Sequence, residues 1–168
     1  MSRFVLPFLL FGLWQIACNG FINLSSSYPV RQLNNSPDGM NNNRINDILS
    51  TTVEELDGKE GFWKFKYQDV PMIVITDEKS NRFRIISAIT DVNDLNSESI
   101  LTLMEANFDR TMDARYAVYK GKLYSAFISP LSNLTTRELR SALDQVANLV
   151  INYGTTYSSS DLRYQGEY

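Results

Sequence analysis

The stretch TTRELRSALDQVANLVINYG, Thr135 to Gly154, restricts the fold more than any other part of the chain. Thr135 and Glu138 have the spacing of a capping box, in which each side chain satisfies a backbone N–H that the first helical turn leaves open. Leu134 and Leu139 flank that box as a hydrophobic staple. Beyond it, Leu139, Ala142, Leu143, Val146, Val150 and Tyr153 recur at helical spacing, and Gly154 suits a C-terminal cap. A helix with one apolar stripe needs a surface to cover. The residues before it, YSAFISPL, read as a strand running into a proline turn, so that surface is a sheet.

The preceding elements fit this scheme. Ile45, Ile48, Leu49, Val53 and Leu56 predict a first helix ending at Asp57–Gly58. In GFWKFKYQDV, Trp63, Phe65 and Tyr67 alternate with Lys64 and Lys66, as in a half-buried strand whose aromatic side faces the core. Met72 to Thr76 and Arg82 to Ile89 supply two further strands around a polar turn at Asp77 to Asn81, and Pro71 suits the start of a strand or an edge. Asp91 to Asn96 reads as a loop. Ser97 then caps a second helix with Ile100, Leu103, Met104 and Phe108 on one face, and ARYAVYKGKLYSAFISPL is a hairpin with Lys120–Gly121 at its tip. The order is helix, three strands, helix, two strands, helix. This predicts an α+β domain over residues 44–157 with a mostly antiparallel five-stranded sheet and packed helices, and residues 158–168 as a flexible tail.

The N-terminal segment, residues 1–20, does not belong to that domain. MSRFVLPFLLFGLWQIACNG has the layout of a signal peptide, with Arg3 ahead of an apolar run from Phe4 to Ala17. The run is about 14 residues, short of the roughly 20 that a membrane span requires. Two processing routes fit: cleavage after Gly20, or cleavage before Cys18 with lipidation of its sulfur. QIAC is similar to the bacterial lipobox in Ala17 and Cys18 but carries Gln15 where an aliphatic residue is usual. Residues 21–43 are rich in Asn and Ser with two prolines, and read as a disordered tether. A flexible coil of that length spans about 25 Å. The expected location is outside the cytosol, periplasmic or extracellular, with the membrane reached only through a lipid on Cys18.

Composition narrows the chemistry. The chain has no histidine and a single cysteine, which removes the commonest general base, the commonest metal ligand and any disulfide framework. Its formal net charge is -3 with no basic block, which argues against nucleic acid as a partner. No motif calls for a cofactor. Asp91, Asn93 and Asp94 lack the donors and the placed glycine of a calcium loop. Asp109, Arg110, Asp113 and Arg115 read as a solvated helix end whose ion pairs contribute about 0–1 kcal/mol each. No Ser-x-x-Lys or Gly-x-Ser-x-Gly pattern occurs, and no catalytic or metal site is assigned. A small hydrolase working through carboxylates alone stays open, since that chemistry needs only two acids.

The element order from Arg44 to Tyr157, together with FDRTMDARYAVYKGKLYSAFISPLSNLTTRELRSALDQVANL, resembles the type III secretion chaperone-like superfamily, which includes the CesT and YbjN families. The shared features are packing features. The resemblance implies a non-enzymatic, often dimeric binder of protein segments. Secretion chaperones of this kind act in the cytosol, so an export signal sets this chain apart and leaves the narrower implication of a protein- or peptide-binding module. A structural envelope lipoprotein tethered at Cys18 is the alternative.

The aromatic strands suggest where contact occurs. Tyr116 and Val118 oppose Tyr119 in parity, so the hairpin is apolar on both faces, while helices cover only one. Tyr116, Tyr119, Tyr124 and Phe127 are therefore the candidate contact residues for a protein segment or a second copy.

Overall fold

In the computed structural model, residues 39–160 are described. The elements run α1 (Asn42–Thr52), β1 (Glu54–Lys59), β2 (Phe62–Tyr67), β3 (Val70–Asp77), β4 (Arg82–Asp91), α2 (Ser97–Asp109), β5 (Arg115–Tyr119), β6 (Lys122–Ser129) and α3 (Thr136–Ile151). Short 3-10 turns at Val92–Asp94 and Leu131–Asn133 precede the last two helices. All strand pairs are antiparallel, in the order β1-β2-β3-β4-β6-β5. The expected α+β architecture is present, with six strands and not five.

The sixth strand is β1, which occupies part of what the sequence predicts as the first helix. That helix stops at Thr52, and Val53 is already extended (φ -118°, ψ 166°) with its N–H on the Leu49 carbonyl. Glu54–Lys59 then pairs with β2 through a register shift between Glu54 and Asp57. An edge strand buries little, so EELDGK needs no alternation, and its charges and bulge discourage pairing with foreign strands.

One face of the sheet carries the core. Trp63, Val74, Ile85 and Phe127 form a continuous row across β2, β3, β4 and β6, and all of them are buried. α3 lies on this face with Leu139, Ala142, Leu143, Val146, Ala147 and Leu149 buried, and α1 adds Ile45 and Leu49. The capping box of α3 forms as the spacing predicts: the Glu138 N–H donates to Thr135 Oγ1 at 3.2 Å, and the Thr135 N–H to Glu138 Oε2 at 2.7 Å. Both staple leucines are buried. Pro71 sits second in β3, beyond the β4 ladder that begins at Ile73, so its missing N–H leaves no ladder bond unmade.

The domain limits differ from those predicted. The fold begins before Arg44: Met40 is buried, and Asn41 caps α1 by accepting from the Arg44 N–H at 2.9 Å. At the other end the predicted tail starts too early. Ser159 is buried, its hydroxyl accepts from the Met112 N–H at 2.8 Å, and its carbonyl accepts from Asn148 Nδ2 at 3.0 Å. The predicted signal peptide with Cys18 and residues 21–38 of the predicted tether lie outside the described residues, as do residues 161–168. No helix among the described residues is long and apolar enough to cross a membrane.

Candidate functional site

Among the described residues, apolar side chains stay exposed in two places. The first is the outer face of the sheet, opposite α3. Because side chains alternate along each strand, the register that buries Trp63 and Ile85 turns Phe62, Ile75, Arg84 and Ile128 outward as a second row across the same strands. A parallel row runs Lys64, Ile73, Ile86, Ala126 and Arg115. Ile75 and Phe62 are more than a third exposed and Ile128 is 58% exposed. The sequence signal for this face is the unbroken apolar run PMIVI in β3, which alternation on a single covered face would not require.

The second surface is α2. Its inward contacts are made by Leu103 and Ala106, not by the whole predicted stripe. Ile100, Leu101, Met104 and Phe108 are 44, 60, 63 and 71% exposed. The helix lies against the outermost strand β5, where Asn107 Nδ2 donates to the Tyr116 carbonyl at 3.0 Å and Asn107 Oδ1 accepts from the Tyr116 N–H at 2.8 Å. One side chain thus satisfies both outward backbone groups of Tyr116, which a neighbouring strand would otherwise bind. Asn96, not Ser97, caps α2, accepting from the Ser99 N–H at 2.7 Å.

The predicted contact residues divide. Tyr119 is exposed, and Tyr124 is half-buried on the outer face, beside Ala88 and Ala117. Tyr116 and Phe127 are buried within the protomer, so their role is packing. The Tyr116 hydroxyl donates to the Leu149 carbonyl at 2.9 Å, and its ring meets Tyr157 edge to face at 6.2 Å. Burial, with Tyr157 and Tyr153 adding to it, raises the pKa of that hydroxyl far above the ordinary phenol value. Phe127 packs edge to face on Phe83 at 6.3 Å. The parity of β5 is as the sequence predicts. What the sequence does not reveal is that Tyr116 turns toward α3, and that Val118, on the same face, falls beyond the helix and is exposed.

The polar clusters are structural. Asp91 Oδ1 accepts from the Asn93 N–H at 3.0 Å, capping the 3-10 turn, and Asp94 accepts from the Thr90 hydroxyl at 2.8 Å. Arg110 lies 3.5 Å from its neighbour Asp109. Arg115 Nη1 donates to the Thr111 hydroxyl, the Ala114 carbonyl and the Met112 carbonyl, which folds the turn ahead of β5. No group of three or more Cys, Asp or Glu among the described residues is placed to hold a metal. Hydrogen bonds from the Ser80 hydroxyl and N–H hold the Asp77 carboxyl below the usual range, and those of the Thr135 capping box do the same for Glu138. A general acid is tuned the opposite way.

No protein-family model matches the chain, and no curated protein does. Solved structures do. The fold is similar to a chain of the Yersinia pestis type III secretion chaperone SycH in complex with a stable fragment of YscM2, at 11% identity and a TM-score of 0.52, over 67% of this chain and 98% of that one. It is also similar to a chain of the HopA1–SchA chaperone–effector complex, at 12% identity and a TM-score of 0.50, over 64% of this chain and 87% of that one. The chain has a type III secretion chaperone-like fold.

Proposed function

We propose that this protein is a non-enzymatic, exported module that binds protein segments or a second copy of itself through apolar surface its own helices leave open. The observation that carries the reading is the outer sheet face, where two largely apolar rows span β2, β3, β4 and β6 with no helix of the described residues over them. An exposed sheet face of that composition is stable in water at a cost, and a cover of matching chemistry removes it. The similar solved structures are complexes of chaperones with a partner or effector, which supports a binding role for this fold here as well. The N-terminal segment supports export, and Cys18 supplies the point for a lipid if the lipobox is used.

The test pairs two partly exposed positions, Ile75→Asp and Ile128→Asp, with measurement of binding to reduced, carboxymethylated lactalbumin, a permanently unfolded reporter. Wild type should retain the reporter, and both variants should lose it with unchanged circular dichroism. Light scattering on the same samples reports self-association. A strictly monomeric wild type that ignores the reporter refutes the reading. Labelling with a palmitate analogue tests the anchor: no label on the wild type excludes it.

A further inference from the structure

β6 outruns its neighbour. β5 begins at Arg115, across from Ala126, so Phe127, Ile128 and Ser129 have β4 on one side and no strand of the described residues on the other. The cause lies on α3. Asp113, which would stand across from Ile128 in a longer β5, gives its N–H to Gln145 Oε1 at 2.9 Å, and Ala114 does the same at 3.0 Å. The chain therefore joins the ladder only at Arg115. Alternation decides which backbone groups stay open. The Tyr116 N–H and carbonyl turn to Asn107, so Arg115 and Ala117 turn to β6, and their partners Ala126 and Tyr124 turn to β5. Ile128, two residues past Ala126, points the same way. The other parity belongs to β4, as the bond from the Leu131 N–H to the Asn81 carbonyl at 3.3 Å shows. Among the described residues nothing meets the Ile128 N–H or carbonyl on the open side. A groove of about 270 Å³ lies beside this edge, between β6 and α3. Phe127, Pro130 and Leu134 give it an apolar wall, and its charged lining is acidic, Asp113 and Glu138 with no Lys or Arg. The cations around it are placed elsewhere: the Arg115 guanidinium bonds the turn ahead of β5, Arg84 stands across from Ile128 on the outer face, and Arg137 and Arg140 line another hollow on α3.

We infer that this notch takes a short extended segment of another polypeptide, which continues the line of β5 and brings a Lys or Arg to Asp113 and Glu138. This rests on the protein-segment branch of the proposed function and gives the chemistry of the segment. The residue across from Ile128 exchanges two hydrogen bonds with it, as a closely bonded antiparallel pair does, and its side chain joins Ile128 on the outer face. The residues on either side then point toward α3, where the groove and the two carboxylates lie. Pro130, the next residue of β6 parity to face outward, has no N–H, so the pairing ends there. The matching segment therefore reads basic, β-branched, basic. With so short a ladder its affinity falls at about 0.1–1 mM.

Nuclear magnetic resonance titration of the purified full chain with the acetylated and amidated peptide Thr-Lys-Val-Lys-Thr, up to about 5 mM, tests this over a range that brackets the expected affinity. Amide shifts should centre on Ile128 and Asp113. N-methylation of the central Val removes one donor and should weaken binding about fivefold or more. Asp113→Asn combined with Glu138→Gln should weaken it about three- to tenfold. Gln at the third helical position still closes a capping box, and both sites are exposed, so that variant keeps its fold. Ile75→Asp, on the outer face, should leave peptide binding unchanged. Equal binding of Thr-Glu-Val-Glu-Thr, or of the N-methylated peptide, overturns the inference. So does a loss with Ile75→Asp and not with the double variant, since the outer sheet face then takes the peptide. The absence of any shift over the whole range overturns it as well, and retention of unfolded lactalbumin then decides separately whether the proposed function stands.

Discussion

Replacing Gln145 with Met should cost this domain about 2–4 kcal/mol. Gln145 lies in the middle of α3 and is buried, yet its side chain works for another segment. Its Oε1 accepts from the Asp113 N–H at 2.9 Å and from the Ala114 N–H at 3.0 Å, which fixes the turn that delivers the chain into β5. Methionine keeps the length, the volume and the helix propensity, so no cavity opens and α3 itself is not weakened. What is lost is the acceptor. The Ala114 N–H is then buried without a partner, at a cost of about 1–3 kcal/mol, while the half-buried Asp113 N–H recovers part of its bond from water and loses about 1 kcal/mol. Urea unfolding should show the midpoint falling by roughly 1–2 M with the slope unchanged. Hydrogen exchange should show the amides of Arg115–Tyr119 losing protection before those of β3 and β4. A midpoint change under about 0.3 M, or an exchange pattern in which β5 keeps its protection, would mean that the turn is held by something other than these two bonds.

Other outcomes follow from the same contacts. Burial holds the Tyr116 hydroxyl neutral in the folded state, while an unfolded tyrosine ionises near pH 10. This contribution is therefore complete below about pH 10 and is lost as pH rises through the folded value. Tyr116→Phe should flatten alkaline unfolding between about pH 10 and 12, measured by thermal melts across that range, while losing about 1 kcal/mol at pH 7 with the bond to Leu149. Gly58→Ala should destabilise the β1–β2 hairpin severely, because the backbone there adopts a positive φ that side chains rarely tolerate. At Gly58 φ is 128°, and a Cβ would stand 2.3 Å from the Phe62 carbonyl oxygen; retention of wild-type melting would contradict that geometry. Thr135→Ala should cost about 0.5–2 kcal/mol by removing the cap of α3, read from the shift in urea midpoint. Glu138 is held ionised by the same box, so its contribution is present above about pH 4.5 and lost as pH falls below that. Acid titration of Glu138→Gln should lack this component.

The sequence alone determined those features whose cause is local. The capping box and staple of α3 depend on residues within about one helical turn of each other. The hairpin tip depends on two residues that accept positive φ. In the fold these are Lys120 at 47° and Gly121 at 76°. Alternation assigned the aromatic side of β2 to the core for the same reason. Tertiary structure decided what depends on distant neighbours. β1 has no internal signature because an edge strand is defined by its partner. α2 shows two apolar stripes, at Leu103 and Ala106 and at Ile100, Met104 and Phe108, and only its docking on β5 through Asn107 selects which one is buried. Tyr116 and Val118 share a face of β5 yet differ in burial, because α3 and the Tyr157 segment reach one and not the other. Periodicity states which side chains lie together on a face, but whether that face meets a helix, a second chain or water is fixed only when the layers pack.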